Sequence, residues 1–142
     1  MNNCEIELEK SKKRNENYIK EFEAWLKEKN LAPKTIKKHL SNIKFYLNEY
    51  LNYYEIAKME DGIFEVYSFL NDWFIRKCMW ASKSSIKENA SSIKKFYQCM
   101  SEKEHVKVED YKLLCKEIND NMEEFLDSIN DYDDRSYYDI FM

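Results

Sequence analysis

The chain uses glycine once and proline once in 142 residues. So few chain-reversing residues nearly exclude β-hairpin turns and the Gly-rich loops that cradle phosphates. No apolar run approaches the roughly 20 residues that a membrane-crossing helix needs. The opening Met1-Asn-Asn-Cys-Glu-Ile-Glu is polar and acidic, unlike a signal peptide. Histidine occurs twice, as His39 and His105, and the four cysteines (Cys4, Cys78, Cys99, Cys115) are scattered with no Cys-x-x-Cys pair. That pattern argues against zinc and for reduced thiols, so the expectation is a cytoplasmic protein with no metal and no cofactor. A His-Glu-x-x-His motif, a serine nucleophile elbow and a distinctively spaced carboxylate pair are also missing, which makes an enzyme the least expected class.

Charged residues are 35% and apolar residues 44% of the chain. That balance predicts a soluble helical protein with a real core rather than a disordered chain. The length fits one domain with an appendage. The net charge of −4 hides an asymmetry. Residues 1–100 carry 18 Lys/Arg against 14 Asp/Glu, whereas residues 101–142 carry 5 against 13. A mildly basic body therefore bears an acidic C-terminal part, and partners respond to the local field rather than the total.

The strongest internal signal is a pair of look-alike segments. Pro33-Lys-Thr-Ile-Lys-Lys-His-Leu-Ser-Asn-Ile-Lys-Phe-Tyr46 is followed by Lys83-Ser-Ser-Ile-Lys-Glu-Asn-Ala-Ser-Ser-Ile-Lys-Lys-Phe96. Thr35/Ser85, Ile36/Ile86, Lys37/Lys87, Leu40/Ala90, Ser41/Ser91, Ile43/Ile93 and Lys44/Lys94 fall in step. At about 100° per residue each segment has an apolar arc and a Lys/Ser/Thr/Asn arc. Lysine supplies charge to phosphates, and short hydroxyl and amide side chains bond to phosphates or base edges. Two such helices suggest a clamp for a polyanion. Ordinary solvated faces of two amphipathic helices are the alternative, and Glu88 in the second patch supports it. Phe45 is out of place on the polar side of the first segment.

Along the chain, residues 1–14 read as a flexible lead-in. A first helix is expected from about Asn15 to Asn30, and Asn30-Leu-Ala ends it. A second starts at Pro33, which suits a first helical position, and runs to about Asn52. Asp61-Gly62 is the one clear turn signal. A third helix, about Ile63 to Trp80, is apolar on more than one side, as a central helix would be. A fourth runs to about Met100, starting either at Ser82 or from a Ser85/Glu88 capping box. A fifth, acidic and amphipathic, begins near Val108. The expected layout is a helical domain over 15–105, an acidic helix over 106–130 packed on it, and an acidic tail over 131–142. Asp131, Asp133 and Asp134 in that tail read as a solvated run rather than a cation site.

The run Tyr18-Ile-Lys-Glu-Phe-Glu-Ala-Trp-Leu-Lys-Glu-Lys-Asn-Leu-Ala-Pro-Lys-Thr-Ile36, continuing into the basic second helix, resembles the N-terminal core-binding domain of tyrosine recombinases, the phage-integrase family. Ser85-Ile86 and Phe96-Tyr97 resemble the opening and close of that domain's fourth helix. The resemblance covers roughly residues 15–100. It implies an all-α, SAM-like four-helix bundle, here with an additional acidic C-terminal helix, whose second and fourth helices face duplex DNA. By position the implied contacts are Lys34, Thr35, Lys37, Lys38, Ser41 and Asn42, then Lys83, Ser84, Lys87, Ser91 and Lys95. Ala32 stands where the family's capping serine is usual, a loss of about 1 kcal/mol at that helix start. The family's catalytic half has no counterpart here, and Tyr132, Tyr137 and Tyr138 lack a His/Arg framework. The implied function is non-catalytic DNA binding, accessory or regulatory in DNA recombination or integration, with weak sequence preference. The rival expectation is a protein-interaction module that kept the fold, either a homodimer through the fifth helix or an acidic DNA mimic. A third is that the acidic segment folds over the basic helices and is displaced by DNA.

Overall fold

The computed structural model describes the backbone of residues 2–141 and the side chains of residues 2–132. It is all-α, with no strand among the described residues. Helix α1 spans Asn3–Glu28, and α2 spans Pro33–Lys44 and continues into a π-helical turn, Phe45–Tyr50. A 3-10 turn, Asp61–Phe64, leads into α3, which joins Val66–Ser68, a π-helical turn Phe69–Trp73 and Phe74–Lys77. Helix α4 spans Lys83–Glu102 and α5 spans Val108–Phe141.

The expected lead-in is instead the first half of α1. Asn2 caps it, accepting from the Glu5 amide at 2.8 Å while the Glu5 carboxylate accepts from the Asn2 amide at 3.3 Å. Ser11 and Asn15 are buried there, and Asn15 donates to Asn48 at 2.9 Å. This half of the helix docks by polar side chains, which an apolar periodicity does not register. At the other end Asn30 takes φ 59°, the left-handed stop that Asn tolerates.

Helix α3 is central, as its all-round apolar pattern predicts. Val66, Phe69, Leu70, Trp73, Phe74 and Ile75 are buried. The π-turns in α2 and α3 face each other through aromatic rings: Tyr46 stacks on Phe69 at 4.9 Å and Tyr50 meets Trp73 at 5.2 Å. A π-turn adds a residue to the turn and so re-aims the side chains after it. Phe45, expected on a polar face, is half-buried among Phe69, Trp73, Phe74 and Trp80.

The single glycine serves a close approach rather than a special φ. A Cβ at Gly62 would lie 2.6 Å from both Leu51 Cδ1 and the Tyr97 hydroxyl oxygen. Two buried tyrosines tie down this turn, Tyr46 donating to the Gly62 carbonyl at 2.6 Å and Tyr97 to the Met59 carbonyl at 2.9 Å. Burial pushes both phenols well above their ordinary pKa.

Helix α4 starts from Ser82, not from a Ser85/Glu88 box. Ser82 Oγ accepts from the Ser85 amide at 3.1 Å, and Ser85 Oγ accepts from the Ser82 amide at 2.8 Å. The helix closes on Glu104, which has φ 63°, with the His105 amide donating to the Met100 carbonyl at 2.9 Å. Helix α5 lies along α4 and buries Leu114, Ile118, Phe125 and Ile129. Its backbone is helical through Phe141, past the expected boundary at residue 130. Docking of the tail aromatics, and the Asp133 and Asp134 side chains, lie outside the described side chains.

Candidate functional site

The two repeated segments meet in space. Lys38 on α2 pairs with Glu88 on α4. One helical turn on, Asn42 donates to Ser92 at 3.0 Å, and His39 Nδ1 lies 2.7 Å from the same hydroxyl. His39 and Ser92 are buried. A neutral His39 with its proton on Nε2 accepts from Ser92, so the bonds run Asn42 to Ser92 to His39. The environment favours that neutral form: burial lowers the His39 pKa, and nearby Lys95 and Lys38 lower it further, against a smaller upward pull from Glu88.

The expected contact residues lie on these two helices at differing depths. Lys34, Thr35, Lys37, Lys38 and Ser41 on α2 are exposed, as are Lys83, Ser84 and Lys87 on α4. Asn42, Ser91 and Lys95 are half-buried. The helix seam therefore divides the set. Asn42 is spent on Ser92, and Lys38 is half-neutralised by Glu88. Lys34, Lys37, Lys83, Lys87 and Lys95 form no ion pair among the described residues. Lys94 turns away and donates to Asn119 on α5 at 3.0 Å.

Both helix starts add partial positive charge. At α4 the Ser82 side chain accepts from the Ser85 amide. At α2 Ala32 supplies no side-chain cap, so the first-turn amides of Lys34 and Thr35 have no side-chain acceptor. Five lysines without an ion pair among the described residues, on two adjacent helices, make a local excess of positive charge that a polyanion would offset. The arrangement can hold phosphates. The Ser92 hydroxyl and the His39 ring pair out of reach of solvent, since both residues are buried, and among the described residues no cluster of His, Cys, Asp or Glu is placed to hold a metal.

Sequence reasoning missed the His39–Ser92 contact, although a signal was there. His39 and Asn89, like Asn42 and Ser92, are polar residues at the edge of each apolar arc, where a neighbouring helix packs. It also missed an open groove of about 760 Å³ between α1 and α2, floored by Leu31, Pro33, Ile36 and Leu40 and rimmed by Lys27, Lys37 and Lys44. Glu88, which looked like an intruder on a cationic face, is the partner of Lys38.

No family model matches this chain, and neither a curated protein nor a solved structure does.

Proposed function

We propose that this chain is a non-catalytic DNA-binding protein of the tyrosine recombinase type, gripping duplex DNA with the outer faces of α2 and α4 and acting as an accessory or regulatory factor in DNA recombination or integration. The observation that carries the reading is the adjacency of the two repeated helices, which carry Lys34, Lys37, Lys83, Lys87 and Lys95 exposed or half-buried and unpaired among the described residues. Phosphates are the matching ligand for such a set, and lysine contacts to them carry little sequence information. The Pro33-Lys-Thr-Ile36 block and the order of helices support the recombinase part of the proposal. A cytoplasmic setting fits the scattered thiols. Cys78 and Cys99 are buried, and burial raises their pKa to about 11 and about 12. Among the described residues no helix is long and apolar enough to cross a membrane.

The test is binding to a labelled mixed-sequence duplex as salt is varied. Neutralising five phosphates gives a log–log slope of about −4.5, a loss of several hundred-fold between 50 and 200 mM salt. The Lys37→Glu/Lys87→Glu variant should bind weakly at either salt. Salt-insensitive binding, or none by the native chain at 50 mM, rejects the proposal.

A second reading is supported by a different surface. Phe64 and Leu113 are 65% and 63% exposed side by side in a shallow cleft with Asp110, Glu117 and Asp120. An apolar spot with an acidic rim suits a protein partner or a second copy. Sedimentation of the pure chain distinguishes these: a monomer at high concentration removes the homodimer.

A further inference from the structure

Two side chains in the turn between α3 and α4 are largely exposed among the described residues. Met79 is fully exposed, and Trp80 is 62% exposed. Adjacent exposed large apolar side chains form the kind of patch that marks a partner's contact. Trp80 is nevertheless held in position. Its ring meets Phe45 of α2 edge to face at 5.8 Å and Phe74 of α3 at 6.4 Å. The Ser82 cap then launches α4 immediately after it. Phe45 follows Lys38 and Ser41 along the outer side of α2, so Trp80 continues the lysine-bearing face at its edge.

Along the chain, the charges that flank this turn and form no ion pair among the described residues are Lys77, Lys83 and Lys87. From Trp73 to Lys87 the chain carries four cations, Arg76, Lys77, Lys83 and Lys87, and no acid. Asp72, just before, is bound by Arg76 through two hydrogen bonds of 2.8 and 2.9 Å. A fixed, flat π surface in a cationic field matches a ligand that is itself a flat π surface on a polyanionic backbone. Stacking on aromatic side chains beside a phosphate-binding groove is how unpaired bases are held without sequence preference. A surface of anionic lipid also meets an exposed indole among lysines. A ring locked by two edge-to-face supports suits a flat partner better than fluid acyl chains.

We infer that Trp80, with Met79 beside it, is a stacking platform for an unpaired base, so that this chain prefers DNA carrying an unstacked nucleotide over an uninterrupted duplex. The inference rests on the DNA-binding reading above and names the kind of DNA that reading left open.

The experiment compares one mixed-sequence duplex with the same duplex carrying a single bulged adenine, in the native chain and in Trp80→Ala, Trp80→Phe and Lys37→Glu/Lys87→Glu variants. The native chain should bind the bulged duplex about tenfold more tightly, within the range of one base–aromatic stack. Trp80→Ala should lose that preference while its affinity for the intact duplex stays within twofold, and Trp80→Phe should keep part of it. The lysine variant should weaken on both duplexes alike. Trp25 and Trp73 are buried, so quenching of the exposed indole on the bulged duplex should vanish in Trp80→Phe. Equal affinity of the native chain for the two duplexes overturns this inference and leaves the DNA-binding proposal standing. Binding to neither overturns both. A blue shift of Trp80 on anionic phosphatidylserine vesicles, with no discrimination between duplexes, overturns it in favour of a lipid surface.

Discussion

Asn42 donates a hydrogen bond to Ser92 across 3.0 Å, and the two residues hold equivalent positions in the segments that repeat fifty residues apart. Lys38 and Glu88 are related in the same way. Matching positions of the repeat thus touch one another, and α2 and α4 use their shared pattern as a mutual interface as well as an outward face. The lysines beyond that interface form no ion pair among the described residues.

Glu88 is the switchable member of this arrangement. On the DNA-binding proposal, Glu88→Gln should free Lys38 for phosphate and steepen the salt dependence of binding by about 0.9 in log–log slope. Stability should change little, by less than about 1 kcal/mol, because a half-exposed ion pair contributes only that much. Affinities at two salt concentrations and a urea titration measure the two effects. An unchanged slope would place Lys38 outside the DNA contact.

His39 makes stability depend on pH. Its pKa is lowered in the folded chain, chiefly by burial and then by Lys95 and Lys38, with Glu88 opposing. The unfolded chain therefore takes up a proton near pH 6.5 before the folded chain does. The stability from this group is complete above pH 6.5 and is lost as pH falls through the lower folded value. Urea midpoints between pH 7 and pH 5 should fall further for the native chain than for His39→Gln. Parallel falls in the two proteins would show that the seam does not hold the imidazole neutral.

Gly62 is a packing requirement. Gly62→Ala would place a methyl 2.6 Å from Leu51 and the Tyr97 hydroxyl, both in the core. Relief requires moving Tyr97 off the Met59 carbonyl, and overpacking of this kind costs about 1–3 kcal/mol. In a Tyr97→Phe background, which removes one of the two clashing atoms, the same substitution should cost less. Additive losses in thermal unfolding would refute the account.

Much of the fold was legible in the chain because it is written locally. The 3.6-residue periodicity placed α2, α4 and α5, Pro33 marked the start of α2, and Asn30 marked the end of α1. Where docking is polar the pattern was silent, so Ser11 and Asn15 hid the first half of α1. The π-turns were equally invisible, since they arise where the rings of α2 and α3 must interlock. Phe45 consequently looked like a stray residue on a wet face.

The sequence by itself determined the helical class, the repeated basic segments and the division into a basic body and an acidic C-terminal helix, because composition and spacing act through nearest neighbours along one helix. Tertiary structure decided which polar residues are free. Glu88, Asn42, Ser92 and His39 are drawn into the seam because buried polar groups need partners. Lys94 is turned toward α5, and Trp80 is propped in solvent by Phe45 and Phe74. Apart from the Phe74–Trp80 contact, those outcomes depend on residues about 25 to 53 positions apart, a distance over which a one-dimensional pattern carries no geometry.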